Sequence, residues 1–360
     1  MNPRRERFQQ AMARFEPAGN PVAAVKDGLY VAPPGQPIAE RILARLELRP
    51  RSAHLVVGAI GAGKTTQLRI LERALGERTD LLPIFVDATS VKDELQRPGK
   101  LVKHVVTGIE RAKLDTLTDQ EKSKKLLADL IVALLSTKPQ KPKSLAASLG
   151  TATNAVLLLD SLDRLPVTAF EEICGGDLAT LREHMAVVVV GPPAVMYGAA
   201  RALVDRFDYF ERQPTYDPRH GSKMHDFLVQ IVRQRAEPDL IPDASSSLLV
   251  EASGGILRDL VALAQLALEE AYVTGHERVE AGDVHSAVDA FGRKHIYGLD
   301  SRDIDLLQKL RQNGSFVRVN DNDTSLLITR RVLEYADDHG APHFAVHPTL
   351  LPLLQQMDDA

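Results

Sequence analysis

Short apolar runs alternate with stretches of helical periodicity over residues 1–217. The runs at 155–159 and 186–190 are apolar at every position, which is typical of strands buried on both faces of a parallel sheet. The apolar runs predict strands at 55–57, 81–87, 155–159, 186–190 and 208–213. The helical spacing predicts helices at 3–16, 37–46, 66–71, 98–113, 118–135, 166–183 and 193–205. This alternation indicates an α/β fold with a parallel sheet.

The pattern changes after residue 217, where strand signals stop. Helices are predicted at 221–235, 244–252, 256–274, 281–293 and 301–313. Short strands at 315–319, 332–335 and 343–346 and a helix at 349–357 complete the chain. Asp338-His339-Gly340 supplies a hairpin turn, because Gly340 can adopt a positive φ. We expect three domains: a core with an N-terminal helix (1–217), an all-helical lid (218–296) and a small winged-helix-like domain (297–360).

The charge balance argues against a general affinity for nucleic acids. The 44 Lys and Arg residues are outnumbered by 48 Asp and Glu residues, giving a formal net charge of −4. Trp is absent and aromatic residues make up 5%, which disfavours an aromatic platform for bases. The Lys and Pro run 138–143 is interpreted as a solvated linker. A local contact between that run and nucleic acid remains the alternative.

The chain also lacks signals for export or membrane insertion. Its charged N-terminus has no apolar segment of the signal-peptide kind, and no apolar run reaches transmembrane length. The single Cys174 fits a reducing compartment, where it is expected to be a small buried hydrophobic residue. We therefore expect a cytoplasmic protein without a membrane partner.

The strongest chemical signal is the segment Gly58–Thr65, which has the form GxxxxGK[ST] and lies between a predicted strand and a predicted helix. Glycines let the loop curl so that its N–H groups and the helix start face a phosphate. Lys64 would reach the β- and γ-phosphates, and the Thr65 hydroxyl would bind Mg²⁺. A glycine-rich turn without a ligand is the alternative. The predicted nucleotide contacts here are Gly58, Gly61, Ala62, Gly63, Lys64, Thr65 and Thr66.

Two carboxylates follow the apolar run 155–159. Asp160, at the end of a buried strand, would hold Mg²⁺ directly or through water. Its alternative role is to cap the turn that follows. Asp163 could orient or deprotonate the attacking water, or it could cap the helix that begins near Pro166.

Two arginines are candidates for further contacts with the nucleotide. Arg206 precedes Phe207 just before the last strand of the core, where it could reach a nucleotide bound by a neighbouring subunit. Arg258 lies in the first turn of a helix that follows Gly254-Gly255, from which it could project toward the phosphates. Either arginine could instead be solvated or ion-paired, and Asp205 and Asp208 flank Arg206.

The eleven histidines do not indicate a metal site. His343 and His347 are four residues apart on a strand-like segment, and no cluster of Cys or carboxylate residues accompanies them. We interpret both as structural residues.

Together these motifs resemble those of the AAA+ and STAND branch of P-loop ATPases. Gly58–Thr65 resembles Walker A, 155–163 resembles a Walker B strand of the form hhhhDxxD, Arg206-Phe207 resembles the arginine-finger position, and Ser253–Arg258 resembles the sensor-2 sequence GGxxR. The resemblance covers about residues 28–295. It implies that ATP and Mg²⁺ are bound and that Tyr30 and Val31 lie near adenine. The segments 326–327, 332–335 and 346–348 are similar to a short signature of the winged-helix-like domain in bacterial members.

The departures from that family pattern imply slow hydrolysis. Ser161 stands where typical members have a Glu after the Walker B Asp, and Gly191-Pro192-Pro193 supplies no polar residue at the sensor-1 position. Slow hydrolysis suits a switch whose bound nucleotide sets its state. The resemblance therefore implies an ATP-dependent switch or assembly ATPase that self-associates and controls a partner effector or sensor protein, with bacterial defence as one setting.

Two other functions remain open at this point. A DNA-associated ATPase of initiator or transposition-regulator type would place the C-terminal domain and the run 138–143 on phosphates, but the acidic balance disfavours it. A phosphotransferase for small molecules would need an acceptor site, and none is visible in the sequence.

Overall fold

The computed structural model describes residues 2–16, 21–78, 80–89, 99–115, 154–318, 320–336 and 342–358. The chain divides into two compact units. The first comprises Met1–Gln36, Gly58–Gly63 and Gln213–Ala360, and the second comprises Pro37–Val57 and Lys64–Arg212.

Five strands form one sheet in the order β2-β3-β4-β1-β5. They are β1 (Ala53–Gly58), β2 (Leu81–Asp87), β3 (Asn154–Asp160), β4 (Ala186–Val190) and β5 (Tyr209–Gln213). The pairs β1–β4, β2–β3 and β3–β4 are parallel. The predicted α/β fold with a parallel sheet and a P-loop NTPase core is therefore confirmed.

The helices within residues 1–212 are α1 (Pro3–Arg14), α2 (Pro21–Lys26), α3 (Ile38–Leu48), α4 (Lys64–Gly76), α5 (Lys100–Asp115), α6 (Val167–Gly175) and α7 (Asp177–Arg182). Two 3₁₀ helices, Pro193–Met196 and Gly198–Arg206, precede β5. Beyond residue 212 come α8 (Lys223–Arg233), α9 (Asp243–Ala252), α10 (Leu257–Thr274), α11 (Ala281–Ile296), α12 (Ser301–Asn313), α13 (Asp321–Ile328) and α14 (Leu351–Asp358). They are accompanied by the antiparallel pair β6 (Val332–Ala336) and β7 (Pro342–Val346) and the 3₁₀ turn Pro348–Leu350.

The central strands are buried on both faces, as their composition predicts. Alternate side chains of β3 enter opposite hydrophobic clusters: Leu157 and Leu159 join one, and Val156 and Leu158 join the other, which includes side chains of α3 and α4. All four are fully buried. Because the apolar positions of β3 end at Asp160, this carboxylate is placed at the carboxyl edge of the sheet.

Three predictions about secondary structure need correction. The helix predicted at 166–183 is two helices, because the backbone leaves the helical region at Gly176 (φ −107°, ψ −98°). The helix predicted at 193–205 is two 3₁₀ segments. The strand predicted at 315–319 is absent, since 315–318 have no regular structure and residue 319 is outside the described residues.

Helix α13 was missed because its first turns are polar rather than amphipathic. It begins with a capping box in which the Asn320 side chain accepts a hydrogen bond from Asp323 N and the Asp323 side chain accepts one from Asn320 N. The helix predicted at 118–135, the linker 138–143 and the turn 338–340 lie outside the described residues.

The first unit has its own hydrophobic core. Phe8 of α1 and Phe15, which directly follows α1, pack with apolar side chains of α8 to α11. The predicted helices at 221–235, 244–252, 256–274 and 281–293 are all present within a few residues of their expected limits. The boundaries proposed for a lid and a winged-helix-like domain remain predictions. Among the described residues, no helix is both long and apolar enough to cross a membrane.

Candidate functional site

The phosphate-loop motif connects β1, which ends at Gly58, to α4, which begins at Lys64. Gly61 and Gly63 have φ values of +89° and +94°, a region that L side chains rarely adopt. Gly58 is required for a different reason, since a Cβ there would lie 2.5 Å from the carbonyl oxygen of Gln213. The strand, loop and helix thus occur in the predicted order. Ala62 is fully buried within the loop, and its N–H donates to Ala59 O.

Lys64, the first residue of α4, is almost completely buried and forms an ion pair. Its Nζ lies 3.0 Å from Oδ2 of Asp163. A buried ammonium without a counter-charge is costly, so Asp163 stabilises this lysine. Phosphate oxygens could replace the carboxylate as its partner. The contact of Lys64 with phosphate and the action of Asp163 on water both remain predictions.

Thr65 and Asp160, the two predicted Mg²⁺ ligands, lie in direct contact. The Thr65 hydroxyl donates a hydrogen bond to the Asp160 carboxylate, and Ser161 N donates to Oδ1 of Asp160 at 2.8 Å. Burial raises the pKa of Asp160; these two hydrogen bonds oppose that rise, while the charges of Asp163 and Asp87 add to it. A carboxylate and a hydroxyl are the oxygen donors that Mg²⁺ prefers, so the pair fits the ion. Binding of the cation would stabilise the ionised carboxylate.

Sequence reasoning missed Asp87, which ends β2 beside Asp160 in the parallel register. Its Oδ1 accepts hydrogen bonds from the hydroxyl of Thr89 at 2.6 Å and from its N–H at 2.9 Å, and the Thr89 hydroxyl oxygen lies 3.0 Å from Ser161 Oγ. Burial would raise the pKa of Asp87, but the hydrogen bonds from Thr89 and Ser161 outweigh it and lower the pKa. The available signal was a carboxylate that ends an apolar run, the same signal that identified Asp160.

Arg258 lies beside the phosphate loop, as its position after Gly254-Gly255 suggested. Its backbone N–H donates to Gly61 O at 3.2 Å. A Cβ on Gly61 would be 2.8 Å from the Cβ of Arg258 and 3.1 Å from Cγ2 of Ile256. The start of α10 is therefore packed directly on the loop. Contact of the Arg258 guanidinium with phosphate remains a prediction.

Arg330 also contacts the phosphate loop, and nothing in the sequence pattern indicated it. Its Nη1 donates to the carbonyl oxygen of Ile60 at 3.3 Å, and its Nε lies 3.0 Å from Oδ2 of Asp259. Asp259 is 1% exposed, and Nε2 of the fully buried His347 lies 3.4 Å from the same carboxylate oxygen. This arrangement agrees with the structural role predicted for His347.

Arg206 is partly exposed and is engaged within its own chain. Its Nη2 lies 3.3 Å from Oε1 of Glu171, and its backbone carbonyl accepts a hydrogen bond from Arg182. Of the two acids that flank Arg206, Asp208 pairs with Arg49 and Arg182. An arginine-finger role would require that the contact with Glu171 be exchanged for one across a subunit interface, and it remains a prediction.

The segment with Tyr30 and Val31 runs along the helices of the first unit. Gly28 O accepts from Nε2 of Gln234 at 2.8 Å, and Leu29 O accepts from Nη1 of Arg235 at 3.2 Å. Val31 packs against the hydrophobic cluster of these helices. Proximity of this segment to adenine remains a prediction. Among the described residues, no group of three or more His, Cys, Asp or Glu side chains could hold a metal ion by itself.

Comparisons with solved structures find distant likenesses. Cdc6p from Pyrobaculum aerophilum is 15% identical, with 96% of this chain and 98% of that chain covered and a TM-score of 0.46. The RuvB Holliday junction branch migration motor of Thermotoga maritima is 15% identical, with 89% and 95% covered and a TM-score of 0.45. The Aeropyrum pernix Orc1 protein in complex with DNA is 18% identical, with 94% and 96% covered and a TM-score of 0.44.

No curated protein matches the chain. A family match covers the segment that holds the phosphate loop, the strand ending at Asp160 and β4. Residues 48–196 match the family model described as an AAA domain.

Proposed function

We propose that this chain binds ATP with Mg²⁺ and hydrolyses it slowly, as a switch or assembly ATPase of the STAND type. The observation that carries the proposal is the contact between the Thr65 hydroxyl and the Asp160 carboxylate, next to a buried Lys64 that is paired with Asp163. The groups that would bind Mg²⁺ and phosphate are thus already held at one edge of the sheet. The match of residues 48–196 to an AAA domain supports ATPase activity.

The roles of the chain's own groups follow from this arrangement. Loop N–H groups and Lys64 would bind the phosphates, and Thr65 and Asp160 would hold Mg²⁺, which neutralises charge that develops on the transferred phosphoryl group. Asp163, which pairs with Lys64, and Asp87, which lies beside Asp160, are carboxylates that could orient water. Ser161, which stands at the position of the usual Glu, carries no group that can accept a proton from water efficiently, and this supports slow turnover.

The switch function rests on further predictions. The helices α8–α11 would form a lid, and α12, α13, β6, β7 and α14 would form the winged-helix-like domain. We expect ATP to promote self-association or binding of an effector or sensor protein, with Arg206 contacting the nucleotide of a neighbouring subunit. Selectivity for ATP over GTP is inferred from the resemblance to AAA+ and STAND proteins.

The test combines nucleotide binding, turnover and molecular mass. Lys64→Ala should abolish ATP binding, whereas Lys103→Ala, which changes an exposed lysine of α5, should leave it intact. Tight ATP binding by Lys64→Ala would overturn the proposal. The mass measured by size-exclusion chromatography should rise when ATP is added, without any effect of duplex DNA. Turnover stimulated by DNA would instead favour a DNA-associated ATPase of initiator or transposition-regulator type.

A further inference from the structure

Arg330 lies between α13 and β6 and is held in an unusual backbone conformation. Its φ is +64°, one of two positive values among the described non-glycine residues. Such a conformation is unfavourable for an L residue and persists only where the surrounding contacts compensate for it. The side chain is 16% exposed, so most of it is enclosed by neighbouring groups.

The guanidinium connects two groups of the first unit. Nη1 donates to the Ile60 carbonyl inside the phosphate loop, and Nε forms the ion pair with the buried Asp259. Asp259 follows Arg258, whose N–H donates to the next loop carbonyl, that of Gly61. Two consecutive carbonyls of the loop are therefore bound by residues that come much later in the chain.

The hydrogen bond from Arg330 to the Ile60 carbonyl affects the Gly61 N–H, which the loop could donate to a ligand. The Ile60 carbonyl and the Gly61 N–H belong to the same peptide group. A cationic donor on the carbonyl oxygen polarises that group and makes its N–H a stronger donor. The ion pair with Asp259 fixes the direction of the guanidinium, because Asp259 is itself buried at the start of α10.

We propose that Arg330 is a positioning residue that strengthens the Gly61 N–H as a phosphate donor and couples occupancy of the phosphate loop to β6 and β7. The inference rests on the proposed binding of ATP at this loop. Arg330 is two residues before β6, so a shift of the Ile60 carbonyl upon phosphate binding is transmitted to the start of that strand through a single side chain. Conversely, a well-ordered β6–β7 pair holds Arg330 in place, and Arg330 in turn keeps the loop in its binding conformation.

The matched control is Arg331, the next residue. Its Nε and Nη2 donate to the carbonyls of His295 and Tyr297, at the end of α11, rather than to the phosphate loop. Arg331→Ala therefore removes the same charge and a similar number of hydrogen bonds from the same turn, without changing the contact with Ile60. Arg330→Gly is the second test variant, because glycine tolerates φ +64° and keeps the backbone unstrained.

The experiment measures Mg·ATP affinity by calorimetry and hydrogen exchange of residues 332–336 and 342–346 with and without saturating Mg·ATP. Arg330→Ala and Arg330→Gly should each weaken ATP binding by roughly three- to tenfold, because the Gly61 N–H loses the strengthening that a cationic donor on the Ile60 carbonyl gives it. At saturating ATP they should also lose the ATP-dependent change in exchange that the unmodified chain and Arg331→Ala show. A purely structural role would alter exchange in the absence of ATP but would preserve the response to it.

The outcomes separate this inference from the proposed function. If the unmodified chain does not bind ATP, both fail. If it binds ATP, and Arg330→Gly is folded and keeps both the affinity and the exchange response, the inference about Arg330 is overturned while the proposed function stands. The inference is also overturned if Arg331→Ala weakens ATP binding as much as the Arg330 variants.

Discussion

Nζ of Lys64 lies 3.0 Å from Oδ2 of Asp163, so the ammonium group that the motif predicts to bind phosphate forms an ion pair within the protein. Lys64 is 4% exposed and Asp163 is 16% exposed, so the pair is largely shielded from water. Nucleotide binding would therefore exchange one anionic partner of the lysine for another rather than bury a free ammonium. If the phosphates bind Lys64, Asp163 would compete with them for its ammonium group.

We predict that Asp163→Asn destabilises the nucleotide-free protein by about 3 kcal/mol, because it leaves a buried ammonium without its counter-charge. Mg·ATP should restore more stability to this variant than to the unmodified chain, since the phosphates no longer compete with a carboxylate. Urea unfolding with and without Mg·ATP measures both effects.

The control for this variant is Asp80→Asn, which changes an exposed ion pair with Arg78 and should have little effect. If Asp163→Asn keeps its stability and its ATP affinity but loses turnover, the carboxylate acts on the attacking water instead, as the sequence analysis proposed.

A second prediction concerns Gly61. Alanine at this position would adopt φ +89° and place its Cβ 2.8 Å from the Cβ of Arg258, so both the loop and the start of α10 must shift. Gly61→Ala should therefore lose measurable ATP binding. Gly28→Ala is the matched control, because Gly28 has φ +70° but no atom within 4 Å of an added Cβ. Gly28→Ala should lower the free energy of unfolding by about 1 kcal/mol and leave ATP binding intact. Equal ATP affinities of the two variants, measured by calorimetry, would contradict the prediction.

The sequence predicted features that depend on neighbouring residues and missed those that depend on distant ones. The limits of β2 and β4 were predicted correctly, because β4 is a single apolar run and β2 is an apolar run that ends in Asp87. Local signals also identified Lys64, through the GxxxxGK[ST] motif, and Asp160, through the apolar run that precedes it. The contact of Arg330 with Ile60 joins residues 270 positions apart, and no periodicity or spacing encodes it.

The prediction of a strand at 315–319 was wrong for a similar reason, because a tertiary contact and not strand pairing buries its apolar side chain. The alternation of Phe316 and Val317 with polar residues suggested a strand, but no neighbouring strand pairs with 315–318 in the described structure. Phe316 is buried through contact with Phe344 on β7, at a ring-centroid distance of 5.2 Å. A tertiary contact thus accounts for the apolar side chain that the pattern had assigned to a sheet.

A third prediction tests the support of the Gly254-Gly255 turn. The buried hydroxyl of Tyr335 donates to Gly254 O at 2.8 Å, and burial raises the pKa of that hydroxyl above its usual range. Tyr335→Phe should lower the free energy of unfolding by about 1 to 3 kcal/mol, because it leaves a buried carbonyl without its donor. Tyr297→Phe, which changes a residue that is 74% exposed, should alter stability by less than about 0.5 kcal/mol. Chemical unfolding monitored by circular dichroism compares the two, and equal stabilities would show that the hydrogen bond contributes nothing.

A fourth prediction concerns pH. Burial, assisted by the nearby Arg45, lowers the pKa of His54 from 6.5 to about 4, and the ring contacts Ser52 Oγ at 2.9 Å. Between pH 6.5 and 4 the unfolded chain binds a proton that the folded chain does not, so stability is highest above pH 6.5 and falls as the pH decreases toward 4. His54 alone should account for a loss of about 2 kcal/mol between pH 7 and pH 5. His295, whose pKa burial lowers to about 3, acts in the same direction.

The variant that isolates this effect is His54→Gln, which keeps a polar group beside Ser52 but does not titrate. Its free energy of unfolding, measured in urea at pH 7 and pH 5, should fall by about 2 kcal/mol less than that of the unmodified chain. The comparison uses the difference between the two pH values, so a general loss of stability in the variant cancels. An unchanged pH dependence would exclude His54 as the titrating group.

The last prediction addresses the slow hydrolysis that we propose. Ser161 follows Asp160 with φ +71°, and its Oγ lies 3.0 Å from the hydroxyl oxygen of Thr89. Ser161→Glu should raise the turnover number for ATP by one to two orders of magnitude, because it supplies a carboxylate where general-base catalysis of water attack is expected. The backbone strain is already present with serine, so glutamate should add less than about 1 kcal/mol to it. Ser161→Gln, similar in size but unable to accept a proton, should remain as slow as the unmodified chain. If the two variants turn over ATP at equal rates, or if the unmodified chain is already fast, the missing carboxylate does not limit hydrolysis and the proposal of a slow switch fails.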